Sequence, residues 1–114
     1  MNKYHAVKAN IDGFTFDSKA EAQYYIALRE MAKTGEIQDL VVHPAYRLQE
    51  SFTYNEKKER PIAYEADFQF LEDGAVHVVD VKGVRTEVYK LKRKLFLYKF
   101  GKDVVFQEVK HERG

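Results

Sequence analysis

The chain has 114 residues and no cysteine, so it is the size of one domain and can form neither a disulfide nor a thiolate metal site. Its hydrophobic fraction of 45% excludes a disordered chain, and its net charge is only +1. No apolar run reaches the roughly 18 residues that a membrane span needs, and the polar start lacks the apolar core of a signal peptide, so we expect a cytoplasmic protein without membrane contact.

The first third of the chain is predicted to contain an N-terminal arm and one helix. Residues 1–16 form the arm, with a turn at Asp12-Gly13. Ser18 and Glu21 have the spacing of a capping box, and Gly35 provides a stop, so the helix lies between Ser18 and Gly35.

Strands dominate the middle of the chain. Two short strands are predicted at 37–42 and 46–52, followed by an exposed loop at 55–60. A β-hairpin follows, because the alternating runs 62–71 and 75–82 are separated by a turn that contains Asp73-Gly74.

A second helix is predicted from Thr86 to Tyr98, and a last strand at 104–109. The helix should turn an apolar stripe inward: Val88, Leu91, Leu95 and Tyr98. The predicted fold class is α/β, a mixed α+β domain spanning 1–114. Its central mixed sheet of about four to five strands is flanked by two helices, in the order α-β-β-β-α-β.

The hairpin register brings two carboxylates together. If Asp73 and Gly74 are the two loop residues, Asp67 lies directly across from Asp80. Opposed residues have Cβ atoms about 5 Å apart, and two carboxylates at that distance repel by roughly 3 kcal/mol at an effective dielectric of about 20. Because stability alone disfavours such a pair, the register predicts a functional site.

Two more ionisable side chains share this end of the hairpin. Lys82 follows Asp80 by two residues and so lies on the same strand face, and the register places Glu65 opposite Lys82. Gathered carboxylates suit Mg²⁺, and Lys82 could help to activate water or neutralise a phosphate. The other face of the hairpin is apolar and should pack on a helix: Ala66, Phe68, Phe70, Val79 and Val81.

By composition alone, the same charged residues are explained equally well as ordinary ion pairs on a solvent-exposed face of the hairpin. Against this interpretation, valines flank Asp80 without polar alternation, as in a strand buried on both faces. Glu21 also has two interpretations, since its carboxylate could complete the capping box or point toward the sheet. The four histidines form no close-spaced pair, so we expect them to be surface or strand residues and not metal ligands.

The second helix lies in a basic segment. Residues 82–99 contain seven Lys or Arg and one acid, a balance of +6, so the remainder has a balance of −5. Lys90, Arg93 and Lys94 are predicted to share one side of the helix, and together with Arg85 they form a candidate phosphate-binding surface. A solvated helix face is the alternative.

Two segments resemble a known signature. Tyr64-Glu65-Ala66-Asp67-Phe68, followed by Val79-Asp80-Val81-Lys82-Gly83, resembles the PD-(D/E)xK nuclease superfamily, whose restriction-endonuclease-like core has a similar order of elements. Segments 16–22 and 89–96 resemble a branch of small phage and prophage proteins in that superfamily. Ala66 departs from the signature, which usually has proline at this position.

The resemblance implies an endonuclease that hydrolyses DNA phosphodiester bonds with Mg²⁺ or Mn²⁺. Glu21, Asp67 and Asp80 would bind the metal, and Lys82 would assist hydrolysis. Contacts restricted to the DNA backbone would favour branched or junction DNA, and a homodimer is one way to cut both strands, because one active site cuts one strand. The alternatives are a DNA-binding accessory protein that does not cut, and an enzyme that acts on RNA or a small phosphoester.

Overall fold

The structure is a computed structural model that describes residues 8–110, which form two helices and ten strands. The start of the predicted N-terminal arm, His5 and His111 lie outside these residues. The helices are α1 (Lys19–Lys33) and α2 (Glu87–Phe100). The strands are β1 (Ala9–Ile11), β2 (Phe14–Phe16), β3 (Gln38–Val42), β4 (Ala45–Gln49), β5 (Phe52–Tyr54), β6 (Lys57–Glu59), β7 (Ile62–Glu65), β8 (Phe68–Glu72), β9 (Ala75–Lys82) and β10 (Val104–Lys110).

Four strands form the central sheet, in the order β10-β9-β8-β3. β10 pairs with β9 in parallel, and the other neighbours are antiparallel. The mixed α+β class with two helices is confirmed. In the described part of the chain, neither helix is long and apolar enough to cross a membrane.

The sheet has an apolar core on each side, because alternate residues of β9 point to opposite faces. Val79 and Val81 pack with Phe68 and α1 residues such as Leu28. Val78 belongs to a second cluster, which includes aromatic residues of β7 and α2: Tyr64, Tyr89 and Phe96.

The β8–β9 hairpin has the predicted register, with Phe68 opposite Val79 and Glu72 opposite Ala75. Asp73 and Gly74 form its turn with φ values of +51° and +79°, the left-handed conformation that a two-residue hairpin loop requires. The Asp73-Gly74 pair therefore fixes the register of the two strands.

Helix α1 also begins and ends as predicted. Ser18 Oγ accepts a hydrogen bond from the Glu21 amide at 3.1 Å, and Gly35 follows the helix with a φ of +83°. This N-cap places Glu21 in the first helical turn, where its side chain faces inward and is 5% exposed.

Several predicted boundaries are wrong. The predicted turn at Asp12-Gly13 is confirmed, but the arm around it is a hairpin of β1 and β2, in which Phe16 is fully buried. The expected loop at 55–60 belongs to a second hairpin, β5 and β6, whose residues are all exposed. The run 62–71 is two strands, because β7 leaves the central sheet and pairs with β4.

The predicted orientation of α2 is also wrong. The stripe expected to be buried is exposed: Val88, Leu91, Leu95 and Tyr98, with exposures from 39% to 87%. Instead, Tyr89 and Phe96 are buried, and Tyr46, Tyr64 and Phe106 lie against the Phe96 ring with centroids within 5.8 Å.

Candidate active site

Four chain segments meet at one end of the central sheet. Because β8 runs antiparallel to both neighbours, its start lies beside the end of β3 and the end of β9. These ends carry Asp67, His43, Asp80 and Lys82. The first turn of α1 brings Glu21 to the same place, with Glu21 Oε1 at 3.5 Å from His43 Nε2.

The chain changes sheets at Ala66 and Asp67, directly before β8. The Ala66 amide donates to the Pro44 carbonyl at 3.0 Å, and the Asp67 amide donates to the Val79 carbonyl at 3.0 Å. Val79 is also the residue paired with Phe68, so the regular ladder ends at Phe68 and Asp67 lies just outside it. The predicted pairing of Asp67 directly opposite Asp80 is therefore not observed, because the Asp67 amide bonds to Val79 and the ladder of paired residues ends at Phe68 and Val79.

Two other predicted positions, those of Glu65 and Ala66, are also corrected by this change of sheets. Glu65 is exposed and pairs with Ala45, so it does not lie opposite Lys82 and takes no part in the site. Ala66 is buried in the α2-side core and does not share a face with Phe68. The register argument failed here because it assumed an unbroken strand.

Asp80 is the most deeply buried charged group of the site, with 1% of its surface exposed. The buried Tyr64 hydroxyl donates a short hydrogen bond to Asp80 Oδ2. Oδ1 lies 3.2 Å from Lys82 Nζ, in an ion pair without hydrogen-bond geometry. Burial raises the pKa of the Asp80 carboxyl, and the hydrogen bond from Tyr64 opposes that rise. These contacts therefore hold the Asp80 carboxylate in place, and among the described residues only Lys82 forms an ion pair with it.

Asp67 is half-buried beside it. Its Oδ2 accepts a hydrogen bond from the Val81 amide at 2.6 Å, which fixes the carboxylate against the end of β9. Burial, together with the Glu21 carboxylate, raises the pKa of Asp67 to about 7. A proton therefore competes for this carboxylate at neutral pH.

Glu21 and His43 complete an acidic cluster with Asp67. One ligand atom from each of the three side chains lies within 4.8 Å of the other two, a spacing that fits a metal ion. Glu21 Oε1 accepts only one long backbone hydrogen bond among the described residues, from the Asp17 amide at 3.3 Å. The capping box is therefore only half formed, because Ser18 Oγ accepts from the Glu21 amide but the Glu21 carboxylate accepts from the Asp17 amide and lies in the cluster with His43 and Asp67.

Lys82 is the cation of the site. Besides its ion pair with Asp80, its Nζ lies 4.4 Å from the centre of the Tyr89 ring, within the range of a cation–π contact. Tyr89 is positioned by α2, whose N-cap Thr86 accepts from the Tyr89 amide at 3.1 Å. The Lys82 side chain is 28% exposed, so its ammonium group can reach a bound substrate.

The predicted phosphate-binding residues divide into two groups. Arg85 and Arg93 face Glu108 of β10, with guanidinium nitrogens at 3.4 and 3.9 Å from its carboxylate. Lys90 is exposed and pairs with Glu87, while Lys94 is exposed and forms no ion pair within residues 8–110. Arg93 is therefore half-buried against β10 while the two lysines are exposed, and the phosphate-binding role of all four residues stays a prediction.

Comparison with known proteins places the chain in a family. A family model described as "Protein of unknown function (DUF1064)" matches residues 1–112. The chain belongs to the DUF1064 family. No curated protein and no solved structure matches it.

In this DUF1064 protein, sequence reasoning missed three residues of the site. His43 was not expected to be a metal ligand because no second histidine is near it in sequence. Its neighbours in the fold are Glu21 of α1 and Asp67, directly before β8. Tyr64 and Tyr89 could have been found only from a weaker signal, which is that a tyrosine in an apolar run requires a hydrogen-bond partner for its hydroxyl. Those partners are Asp80 and Glu108.

Proposed function

We propose that the protein is a metal-dependent endonuclease that hydrolyses DNA phosphodiester bonds, built on a restriction-endonuclease-like core. One observation carries the proposal: Asp67, Asp80 and Lys82, from the two sides of the Asp73-Gly74 turn, lie at the same end of the central sheet as Glu21, from the first turn of α1. Three carboxyl groups and only one ammonium group lie in this cluster, and ionising all three carboxyls together is costly unless a cation binds there.

The donor set fits Mg²⁺ or Mn²⁺. These ions prefer carboxylate oxygens in a partly open site, where water completes the coordination. Asp80 Oδ1 is buried and accepts no hydrogen bond from the described residues, so it retains a lone pair for a ligand. We assign the metal to Asp67 and Asp80, with Glu21 as a further ligand.

The chain's own residues then have separate roles in hydrolysis. A water oxygen would form the new bond to phosphorus, the bond to the leaving sugar oxygen would break, and that oxygen would take up a proton. When bound, the divalent ion would polarise the phosphate and offset its charge. Lys82 would stabilise negative charge on the phosphate oxygens or relay a proton, because its ammonium is held at the site by Asp80 and the Tyr89 ring.

Contacts to DNA would come from exposed lysines of α2, namely Lys90 and Lys94. These side chains suit phosphates more than base edges, which favours recognition of DNA structure, as in branched or junction DNA, over recognition of sequence. Since one active site cuts one strand, a homodimer is one way to cleave both strands.

Direct cleavage assays test the proposal. The protein is incubated with supercoiled, linear, single-stranded and four-way-junction DNA in Mg²⁺, Mn²⁺ or EDTA. Cleavage that requires a divalent ion supports a nuclease, and preference for the junction supports structural recognition. Binding without cleavage under all conditions would instead support a DNA-binding accessory protein that retains the nuclease core.

Two substitutions separate the metal ligands from the catalytic helper. Asp80→Asn removes a costly buried charge, so we expect the metal-free protein to be as stable as wild type or slightly more stable, but to lose cation binding and cleavage. Lys82→Ala leaves the carboxylates intact, so metal and DNA binding should remain while the cleavage rate falls by about 10²-fold or more.

The exposed Lys102→Ala is the matched control for loss of a lysine and should behave as wild type. Calorimetric metal titration, thermal melting and single-turnover cleavage give the three readouts. Absence of cleavage with every metal, together with a melting temperature of Asp80→Asn well below that of wild type, would make these carboxylates structural.

A further inference from the structure

His43 occupies an unusual position at the end of β3. Its φ is +57°, a left-handed conformation that is uncommon for a residue other than glycine, and its amide donates to the Asp67 carbonyl at 2.9 Å. The imidazole packs against the buried Phe16 ring, with centroids 5.7 Å apart. Backbone and ring contacts together direct the side chain toward Glu21.

The imidazole nitrogen therefore lies beside two acids. His43 Nε2 is 3.5 Å from Glu21 Oε1, and both side chains lie within ligand range of Asp67. Asp80 is not part of this three-residue group, and its own contacts run to Tyr64 and Lys82. The sheet end thus contains two neighbouring groups of polar side chains, one around Asp67 and one around Asp80, and the Asp67 charge acts on the Asp80 carboxyl.

We infer that Glu21, His43 and Asp67 form a binding site for a first-row transition-metal ion, with His43 Nε2 as its nitrogen ligand. The inference rests on the metal requirement of the proposed nuclease and adds to it a second cation position with a different metal preference. Asp67 and Glu21 would then contribute to both positions, whereas Asp80 and His43 would each belong to one.

The spacing fits one ion. Ligand atoms that lie about 2.1 Å from a tetrahedral metal are about 3.4 Å apart. The His43 and Glu21 atoms, 3.5 Å apart, already fit this spacing, and the other distances in the cluster, which are at most 4.8 Å, would shorten by about 1.4 Å or less. The His43–Glu21 contact alone does not explain the group as well, because within residues 8–110 no side chain forms an ion pair with Asp67, the second carboxylate. The charge of a divalent ion offsets both.

The imidazole determines which metal is preferred. Mg²⁺ is bound mainly by oxygen, whereas affinity for mixed nitrogen and oxygen sites increases from Mn²⁺ toward Co²⁺ and Ni²⁺. We therefore expect the full-length protein to bind Mn²⁺ and Co²⁺ more tightly than Mg²⁺, and we expect this preference to depend on His43.

Mn²⁺ titration of the metal-free protein, followed by electron paramagnetic resonance, tests the site. The key variant is His43→Gln, whose amide can still hydrogen-bond Glu21 but provides no imidazole nitrogen. The matched control is His77→Gln, since His77 is a half-buried histidine of β9 that stacks on Phe70 with ring centroids 5.2 Å apart. Pulsed measurements report directly whether an imidazole nitrogen is bonded to the Mn²⁺.

Wild type and His77→Gln should show the imidazole coupling, while His43→Gln should lack it and bind Mn²⁺ about tenfold more weakly or worse. Mg²⁺ affinity should change much less. Unchanged Mn²⁺ affinity in His43→Gln, or wild-type Mn²⁺ without imidazole coupling, would overturn the inference. If His43→Gln does not fold, the wild-type pulsed spectrum alone decides.

Cleavage assays distinguish this failure from failure of the nuclease proposal. DNA cleavage with Mg²⁺ but no imidazole coupling to Mn²⁺ would refute the His43 site and leave the nuclease standing. Imidazole coupling that is lost in His43→Gln, without cleavage of any nucleic acid, would establish the metal site and refute the nuclease.

Discussion

At the scale of single residues, Asp67 couples the site to pH. Its carboxyl is half-buried next to Glu21, and burial raises its pKa to about 7, well above the ordinary value of 3.8 for an aspartate. Between these two values, the folded protein holds a proton that the unfolded chain has lost. The free energy of unfolding therefore falls as the pH rises through this window and becomes constant above about pH 7.

We predict that the free energy of unfolding of the metal-free wild-type protein decreases between pH 4.5 and 7.5. In Asp67→Asn this free energy should depend much less on pH. Asparagine removes the titrating charge but still accepts from the Val81 amide. Each unit of pKa difference is worth about 1.4 kcal/mol, and contact with water reduces the total, so we expect an effect of about 2 kcal/mol.

Urea denaturation in EDTA across this pH range measures the effect. The exposed Asp103→Asn is the control and should follow wild type. A wild-type curve that rises over the same range would show that the Asp67 carboxyl is ionised without penalty.

At the scale of elements, α2 shows where periodicity is ambiguous. The helix has two apolar stripes, one aliphatic and one aromatic, and both have helical spacing. The aromatic stripe is buried because Phe96 and its neighbours fill the space that Tyr46, Tyr64 and Phe106 leave, and large rings bury more apolar surface than a Val or Leu side chain. Sequence spacing alone cannot separate the two, since the deciding partners are on other strands.

The observed orientation of α2, with its aromatic side buried, places Arg93 and Lys94 in different environments. Arg93 lies over the Phe106 ring at 5.6 Å and near Glu108, whereas Lys94 is exposed. We predict that Arg93→Ala lowers the free energy of unfolding by about 1–2 kcal/mol through lost packing and pairing. Lys94→Ala should change it by less than about 0.5 kcal/mol.

DNA affinity should show the reverse order. Lys94→Ala should weaken binding, and Arg93→Ala should leave it near wild type under conditions where the variant is folded. Urea denaturation and fluorescence anisotropy with labelled junction DNA measure both properties. Equal losses of affinity in the two variants would return Arg93 to the DNA-binding surface.

Local signals predicted some elements and failed for others. The Asp73-Gly74 turn and the Ser18 cap act within a few residues, so they fixed the β8–β9 register and the start of α1 from sequence. The break at Ala66 has no such signal, because it depends on a hydrogen bond to Pro44 and on pairing of β7 with β4. Asp67, Asp80 and Lys82 were predicted from one hairpin, whereas His43 required knowledge of which strand ends meet.

At the scale of the whole molecule, the excess positive charge of residues 82–99 is smaller than its composition suggests. Four of its seven cations face a carboxylate: Lys82 with Asp80, Lys90 with Glu87, and Arg85 and Arg93 with Glu108. Lys99 donates to the backbone carbonyls of residues 47 and 48. Only Lys92 and Lys94 form no ion pair or hydrogen bond within residues 8–110, although Lys90 is exposed enough to exchange its partner.

This internal neutralisation predicts a weak dependence of DNA binding on salt. Each phosphate contact contributes about −0.9 to the slope of log K against log salt concentration, so three available lysines give a slope of about −3 instead of about −6 for the full segment. The measurement uses Asp80→Asn, which we expect not to cleave, with junction DNA between 50 and 200 mM salt. Combined Lys90→Ala and Lys94→Ala substitution should reduce the steepness by about 2. A slope near −6 that this double substitution leaves unchanged would place the phosphate contacts elsewhere in the chain, and the assignment of α2 as the DNA-binding element would fail.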